Sequence, residues 1–171
     1  KALEHIIKQF NIKSIIDIPC GDFNWMSSMD MKNLKYQGHD IVEQLITENR
    51  KKFKKSNISF LHSDITNSKL GKADLIFVRD CLVHFSIEDI KKSIFRIKKS
   101  RSKYLMSTSF VNLERNIDIY TGDWRGMKVE KGTFNFPRPF RIYNEKWKEV
   151  DGIYADKSLC IWEINKLPYL K

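Results

Sequence analysis

The sequence predicts an α/β fold in which a mostly parallel, twisted sheet carries helices on both faces. Apolar runs of strand length alternate along the chain with segments whose apolar residues recur at helical spacing. This alternation is typical of right-handed β–α–β units, which build parallel sheets. The 171 residues are enough for one domain with a core and hardly enough for two, so we predict a single domain over residues 1–171.

The predicted elements follow one another without a linker. Strands are expected at 14–18, 35–40, 58–62, 73–78 and 103–110, and a last strand at 158–164 forms an edge of the sheet. Helices are expected at 2–10, from 24 or 25, at 41–53 and from 86 onward. In the helix at 41–53, the side that faces the sheet would carry Ile41, Leu45, Ile46, Asn49 and Phe53.

Residues 112–147 differ in composition and in hydrophobic pattern from the rest of the chain. They contain glycines, prolines and many aromatic residues but no clean period. The segment is too aromatic for a disordered linker, and a loop of this length in a compact domain is usually functional. We therefore treat residues from about 111 to 150 as an insert within the predicted domain.

Charge and cysteine content narrow the class of protein. The formal net charge of +10 would attract phosphates, nucleic acid or other anions, although lysines placed singly opposite apolar helical faces favour a solvated basic surface. No apolar run is long enough to cross a bilayer, and no signal peptide is recognisable. Cys20, Cys81 and Cys160 are widely spaced in apolar segments, which predicts reduced thiols, no zinc site and a cytoplasmic protein. The chain begins at Lys1, so an N-terminal lid could precede it.

The first strand ends in a turn that suits a ligand. The segment 14–25 reads Ser-Ile-Ile-Asp-Ile-Pro-Cys-Gly-Asp-Phe-Asn-Trp, so an apolar strand breaks at Pro19 and Gly21. Ligands of open α/β sheets lie just outside such strand ends, and a glycine allows the backbone to approach them closely. The segment resembles motif I of the class I S-adenosylmethionine-dependent methyltransferases, with Pro19 and Phe23 in place of two glycines. An ordinary strand and turn is the alternative.

Three acidic residues fall at the carboxyl ends of three successive predicted strands, namely Asp17, Asp40 and Asp64. A carboxylate after the second strand can accept both ribose hydroxyls of a nucleoside. The alternative for each is to cap the helix or loop that follows. The resemblance implies that Asp64 and the backbone of Ile65 read the adenine amino group. It also implies S-adenosylmethionine as cofactor, S-adenosylhomocysteine as product, and a cofactor site that comprises Asp17, Gly21, Asp22, Trp25, Asp40, Ile41, Asp64, Ile65 and Arg79.

The fourth strand is followed by Arg79-Asp80-Cys81-Leu82-Val83-His84-Phe85-Ser86. The segment resembles the same region of many small-molecule methyltransferases, in which an acidic residue and a histidine lie beside cofactor and acceptor. His84 could take a proton from an acceptor hydroxyl, because the ordinary histidine pKa is near the operating pH. A structural histidine at the helix start, and an ion pair between Arg79 and Asp80, are the alternatives.

The insert and the last strand supply the acceptor side of the predicted site. Residues 121–125 (Thr-Gly-Asp-Trp-Arg), 134–139 and 155–159 are similar to those of bacterial small-molecule methyltransferases from surface-polysaccharide clusters, including capsular O-methyl phosphoramidate methyltransferases. The class I resemblance further implies an antiparallel last strand. Arg125, Arg138 and Lys157 could bind a phosphate-like group and Trp124 could stack on a ring. Aromatic residues that close the sheet edge, with arginines on the rim, are the alternative.

The predicted function is S-adenosylmethionine-dependent methyl transfer to an oxygen of a small, anionic acceptor. Its basis is the order of the cofactor motifs together with the basic insert. The positive charge leaves an RNA or other nucleic-acid methyltransferase as an alternative, although residues 79–82 lack the Asn/Asp-Pro-Pro-aromatic motif of amino-group enzymes. A second alternative is a binding module in which Pro19 and Phe23 close the cofactor turn. No metal or membrane partner is predicted, and the oligomeric state is not indicated.

Overall fold

The computed structural model describes residues 2–146 and 154–170. The helices are α1 (Ala2–Gln9), α2 (Asn24–Ser27), α3 (Glu43–Lys52) and α4 (Ile87–Lys99). The strands are β1 (Ser14–Asp17), β2 (Lys35–Asp40), β3 (Ile58–His62), β4 (Leu75–Val78), β5 (Tyr104–Phe110), β6 (Arg141–Asn144) and β7 (Lys157–Glu163). Single 3₁₀ turns lie at Leu82–His84 and at Ile164–Lys166.

The strands form one seven-stranded sheet in the order β3-β2-β1-β4-β5-β7-β6. Strands β1 to β5 pair in parallel. Strand β7 is antiparallel to both β5 and β6, so β6 runs in the same direction as the first five. The mostly parallel α/β sheet with an antiparallel last strand is therefore confirmed. Strands β2 and β3 follow on one side of β1, and β4 and β5 follow on the other side. The strand order therefore reverses between β1 and β4, which is where open sheets of this kind bind ligands.

Alternate residues of the strands enter two separate cores. In β4, Leu75 and Phe77 pack in one core with the buried residues of α1, α2 and α3. Ile76 and Val78 pack in the other core, with the buried isoleucines of α4. This period of two follows from the pleat of a strand and confirms that helices cover both faces.

The insert covers part of the sheet on the α4 side. Met127, Val129, Phe134 and Phe136 are all buried in that core, and the indole N–H of Trp162 in β7 donates to the carbonyl of Pro137 at 2.8 Å. Phe134 and Phe136 thus serve the structural purpose that was the alternative at the sequence level. Residues 147–150 of the predicted insert lie outside the described residues.

Two predictions about the sheet are wrong, namely that the last strand forms an edge and that residues 112–147 are a loop. The predicted last strand is not at an edge, because β6 lies outside it. Strand β6 falls inside the segment that showed no period, and its four residues are exposed or half-buried, so no alternation marks them.

The predicted start of the third helix also differs from the structure. Helix α3 begins at Glu43 rather than at residue 41, and Ile41 is 63% exposed instead of facing the sheet. The reason is that Asp40 accepts a hydrogen bond from the backbone N–H of Val42 and holds residues 41–42 in a turn. Within residues 2–146 and 154–170, no helix has the length and apolar character needed to cross a membrane.

Candidate active site

A cavity of about 320 Å³ opens at the carboxyl ends of β1, β2 and β4. It lies where the strand order reverses, and its volume is in the range of small-molecule sites. Its lining residues are Ile18, Pro19, Asp40, Ile41, Ser63, Asp64, Ile65, Asp80, Cys81, His84, Phe85, Thr121 and Gly122.

Asp40 joins the turn after β1 to the end of β2. One of its carboxylate oxygens accepts from the backbone N–H of Gly21 at 2.9 Å, and the other accepts from Val42 N–H at 3.0 Å. Gly21 has a φ of +53°, a conformation that favours glycine, and its carbonyl accepts from the side-chain amide of Asn49 at 2.8 Å. Each carboxylate oxygen has two acceptor sites, so Asp40 can cap this turn and still accept donors from a ligand.

Asp64 and Ile65 form the neighbouring part of the wall. One oxygen of Asp64 accepts from both the backbone N–H and the hydroxyl of Thr66, each at 2.8 Å. Asp64 therefore caps the loop after β3, as the sequence-level alternative proposed, while its residue lines the cavity. Ile41 adds exposed apolar surface at the same edge.

Asp17 is not among the residues that line the cavity. Its carboxyl group is buried, with 2% exposure, and accepts a hydrogen bond from the Tyr36 hydroxyl at 2.6 Å. Burial raises the pKa of Asp17 to about 7, against the opposing effect of the Tyr36 hydrogen bond. The carboxyl group of Asp17 is thus a buried group of the fold that is hydrogen-bonded to Tyr36.

Trp25 and Arg79 line a different groove from the cavity, together with Glu145. The guanidinium of Arg79 lies 5.8 Å from the Trp25 ring centroid and donates to Glu145 at 2.8 and 2.9 Å. Asp22 is exposed and caps the backbone N–H of Asn24 at 2.9 Å. Of the nine predicted cofactor residues, the structure therefore brings Asp40, Ile41, Asp64 and Ile65 to the cavity, and joins Gly21 to it through Asp40.

The unusual Phe23 does not occupy the cavity. Its ring is 1% exposed and packs in the core against Tyr36, Phe53 and Phe60, with centroid separations of 4.8 to 5.1 Å. Its φ of +58° turns the backbone so that the side chain enters this core. Pro19, the other departure from the motif, does line the cavity.

The segment after β4 is held by the insert. His84 lines the cavity, and its Nδ1 lies 2.9 Å from the backbone carbonyl of Asp123. A carbonyl only accepts, so Nδ1 carries a proton and Nε2 is left as the acceptor of the neutral ring. The backbone N–H of Gly122 donates to the His84 carbonyl at 2.8 Å, and that of Arg125 donates to the Val83 carbonyl at 3.1 Å.

Arg125 is buried and is not placed to bind an acceptor, which corrects the sequence-level prediction. It is 3% exposed, and its guanidinium donates to the carbonyls of four residues at 2.9 to 3.3 Å: Leu82, Val83, Phe85 and Ile117. Burial lowers the pKa of Arg125 below its usual value, and Asp118 acts in the opposite direction. The side chain fastens the insert to the segment after β4.

The other three predicted acceptor residues are dispersed. The ammonium of Lys157 lies 2.9 Å from a carboxylate oxygen of Asp80, which lines the cavity. Trp124 is 40% exposed and packs edge-on against Phe110 at the end of β5, with ring centroids 6.0 Å apart. Arg138 is exposed and lines a separate groove, with Lys128 and Lys131, that shares no lining residue with the cavity.

Asp80 lines the cavity; the resemblance of residues 79–86 implied an acidic residue beside cofactor and acceptor, although Asp80 was not among the predicted site residues. Its φ is +51°, its backbone N–H donates to the Thr108 hydroxyl at 2.9 Å, and its closest cation is Lys157. Arg79 is farther, at 3.8 Å. Ser63, Cys81 and Phe85 also line the cavity. Ser63 directly follows a predicted strand, and Cys81 and Phe85 belong to the segment 79–86 after the fourth strand; these positions were the available signal.

Comparison with known proteins identifies a family. A family model described as a methyltransferase domain matches residues 15–101, which is half of the chain. No curated protein sequence matches. Among solved structures, the methyltransferase domain of bacterial CtHen1-C has a TM-score of 0.57 at 16% identity, over 67% of this chain and 68% of that one.

Two further solved structures share the fold at low identity. Human N-acetylserotonin methyltransferase in complex with S-adenosylmethionine has a TM-score of 0.55 at 15% identity, over 69% of this chain and 39% of that one. The magnesium protoporphyrin IX methyltransferase of Synechocystis PCC 6803 with bound S-adenosylhomocysteine has a TM-score of 0.53 at 17% identity, over 63% and 52%. This chain thus spans well under two thirds of the length of both enzymes. From the family match and the shared sheet, the chain belongs to the methyltransferase domain family.

Proposed function

We propose that this chain transfers a methyl group from S-adenosylmethionine to an oxygen of a small, anionic acceptor such as a phosphate, phosphoramidate or sugar derivative. The proposed setting is capsule or surface-polysaccharide biosynthesis in the cytoplasm. The observation that carries the cofactor half is the position of Asp40, which ends β2 and lines the cavity. Family membership and the cofactors named for the solved relatives give further support.

The residues around the cavity suit an adenosyl group. Asp40 would accept the ribose hydroxyls, because its two oxygens keep acceptor capacity beyond their backbone bonds. Asp64 and the backbone of Ile65 would contact the adenine amino group, and the exposed face of Ile41 would cover the ring. The sulfonium cofactor supplies an already activated methyl group, so the protein mainly aligns the acceptor.

His84 is the candidate base if the acceptor oxygen is a hydroxyl. Its Nδ1–H is engaged by the Asp123 carbonyl, which leaves Nε2 to take a proton. A phosphate or phosphoramidate oxygen is already anionic and needs no base, in which case His84 would orient the acceptor.

The proposal of an anionic acceptor is supported by Lys157. This cation lies at the start of β7, opposite Phe110 at the carboxyl end of β5, and its ammonium lies 2.9 Å from the carboxylate of the cavity residue Asp80 and 3.5 Å from that of Glu145. Trp124 packs on the same Phe110 and offers a partly exposed ring. We propose that Lys157 and Trp124 contact the acceptor. The proposal leaves out Arg125, whose guanidinium donates to buried carbonyls, and Arg138, which lines a separate groove.

The cofactor half is tested by calorimetric titration of the protein and of Asp40→Ala with S-adenosylmethionine and S-adenosylhomocysteine. We expect micromolar binding by the parent and a loss of at least about 100-fold in the variant, since the two charge-assisted hydrogen bonds to ribose and the anchor of Gly21 are removed together. The matched control is Asp30→Ala, because Asp30 is exposed and caps only Lys32 N–H. No binding by the parent, or equal binding by both variants, would contradict the proposal.

A nucleic-acid acceptor is the second candidate, favoured by the net charge of +10. A mobility shift with tRNA that weakens steeply with salt would support it, and no shift at low salt would remove it. The binding-module alternative gains no support from Phe23, because that ring lies in the core and the cavity remains open.

A further inference from the structure

We propose that Arg125 is a positioning residue for His84. Its guanidinium fastens residues 117–125 onto the turn Leu82–His84, and in doing so it sets the orientation of the His84 ring and the place of the cavity wall formed by Thr121 and Gly122. The importance of His84 for methyl transfer rests on the proposed function, whereas the positioning itself does not.

The first argument is the environment of the guanidinium. Burying an ionised group is costly unless its donors are all engaged. Among the residues that the structure describes, no carboxylate forms an ion pair with Arg125, and the partners are backbone carbonyls from two separate segments, 82–85 and 117. Packing alone would be served at lower cost by an apolar side chain, so the planar fork of donors is the property in use.

The second argument is that the bonds of Arg125 surround His84 on the chain. Its side chain holds the carbonyls of Leu82 and Val83, the two residues before His84, and of Phe85, the residue after it. Two residues upstream of Arg125, the carbonyl of Asp123 accepts from His84 Nδ1. One displaced guanidinium would therefore move both the histidine and the group that orients it.

A second anchor lies at the other end of the same segment. The hydroxyl of Thr121 donates to Asp89 at 2.6 Å and accepts from the backbone N–H of Ser86 at 3.0 Å. Asp118 accepts from the backbone N–H of Ile87 at 2.8 Å. These contacts tie the insert to the first turn of α4, so the wall of the cavity at Thr121 and Gly122 is fixed from both sides.

The test is Arg125→Lys, which keeps the charge but offers its donors from a single atom and cannot reach four diverging carbonyls. Arg115→Lys is the matched control, because Arg115 is an exposed arginine of the same insert. Two quantities are measured: the dissociation constant for S-adenosylhomocysteine by calorimetry, and the imidazole ¹⁵N shifts of His84, which report its tautomer. In Arg125→Lys we expect at least a fivefold weaker affinity and a mixture of tautomers in place of Nδ1–H, with neither change in the control.

The positioning role is overturned if folded Arg125→Lys keeps its affinity within twofold and its His84 shifts unchanged. Should that variant fail to fold, the same two measurements are made on Thr121→Val, which removes the hydroxyl of the second anchor with little change of side-chain volume. A smaller shift in the same two readouts is expected there, and no shift overturns the inference. If the parent does not bind the cofactor product, the proposed function fails, while the His84 shifts still test the positioning.

Discussion

The cofactor side of the sheet and the insert use polar side chains in different ways. Around β1, β2 and β3, carboxylates bind backbone N–H groups: Asp40 holds Gly21, 19 residues earlier in the chain, and Val42, and Asp64 holds Thr66. In the insert, a buried cation binds carbonyls some 40 residues distant along the chain. The first region places the proposed ligand-binding groups where strands end, and the second region fastens the segment that follows β4.

The largest effect that separates the two regions comes from a matched pair of core aromatics. Phe23→Ala and Phe134→Ala each remove a fully buried ring and should each lower the free energy of unfolding by about 3–5 kcal/mol. Only Phe23 lies under the cofactor turn, so only its variant should also weaken S-adenosylhomocysteine binding, by about tenfold. Denaturant unfolding and calorimetry measure the two quantities. Equal losses of affinity in both variants would erase the distinction between the regions.

Next in size is a pH effect confined to the cofactor side. Because burial raises the pKa of Asp17 from 3.8 to about 7, the folded state binds a proton that the unfolded state has lost between these values. The contribution of protonated Asp17 to the free energy of unfolding is therefore fully present below about pH 4 and is lost as the pH rises toward 7. At about 1.4 kcal/mol per pKa unit, Asp17→Asn should gain about 2–4 kcal/mol over the parent between pH 4.5 and pH 8.

Unfolding by urea at both pH values measures this difference, with Asp30→Asn as the exposed control. His39 acts in the opposite sense, since burial lowers its pKa to about 4, but it is present in both proteins and cancels in the difference. Parallel pH profiles for the parent and Asp17→Asn would show that the carboxyl is not held in the protonated form.

The smallest effect is expected at Arg138. This arginine is exposed, in contrast to the buried Arg125 of the same insert, and lines a groove apart from the cavity. Arg138→Met should change the free energy of unfolding by less than about 0.5 kcal/mol and leave the affinity for S-adenosylhomocysteine unchanged. A tenfold weaker affinity would mean that the two grooves communicate.

The same contrast explains what the sequence could predict. The bounds of β2 and β3 and the acidic residues at their ends follow from local patterns, apolar runs and the chemistry of strand ends. The role of Arg125 depends on backbone carbonyls, which every residue carries and which therefore give no sequence signal. The sequence alone also does not distinguish an arginine on the rim of a site from one in the interior. Strand β6 was missed because it alternates no buried residues, and Trp25 was assigned to the cofactor although it faces the neighbouring groove.

The position of β7 between β5 and β6 has a consequence for the order of assembly during synthesis. Strand β6 precedes β7 along the chain, yet its neighbour in the sheet is β7 alone, so β6 cannot join until β7 has left the ribosome. The contact of Lys157 with Asp80, 77 residues apart, forms at the same late stage. Strands β1 to β5 can thus assemble on the nascent chain well before the opposite end of the sheet is complete, and premature termination would yield a five-stranded sheet with an exposed β5 edge.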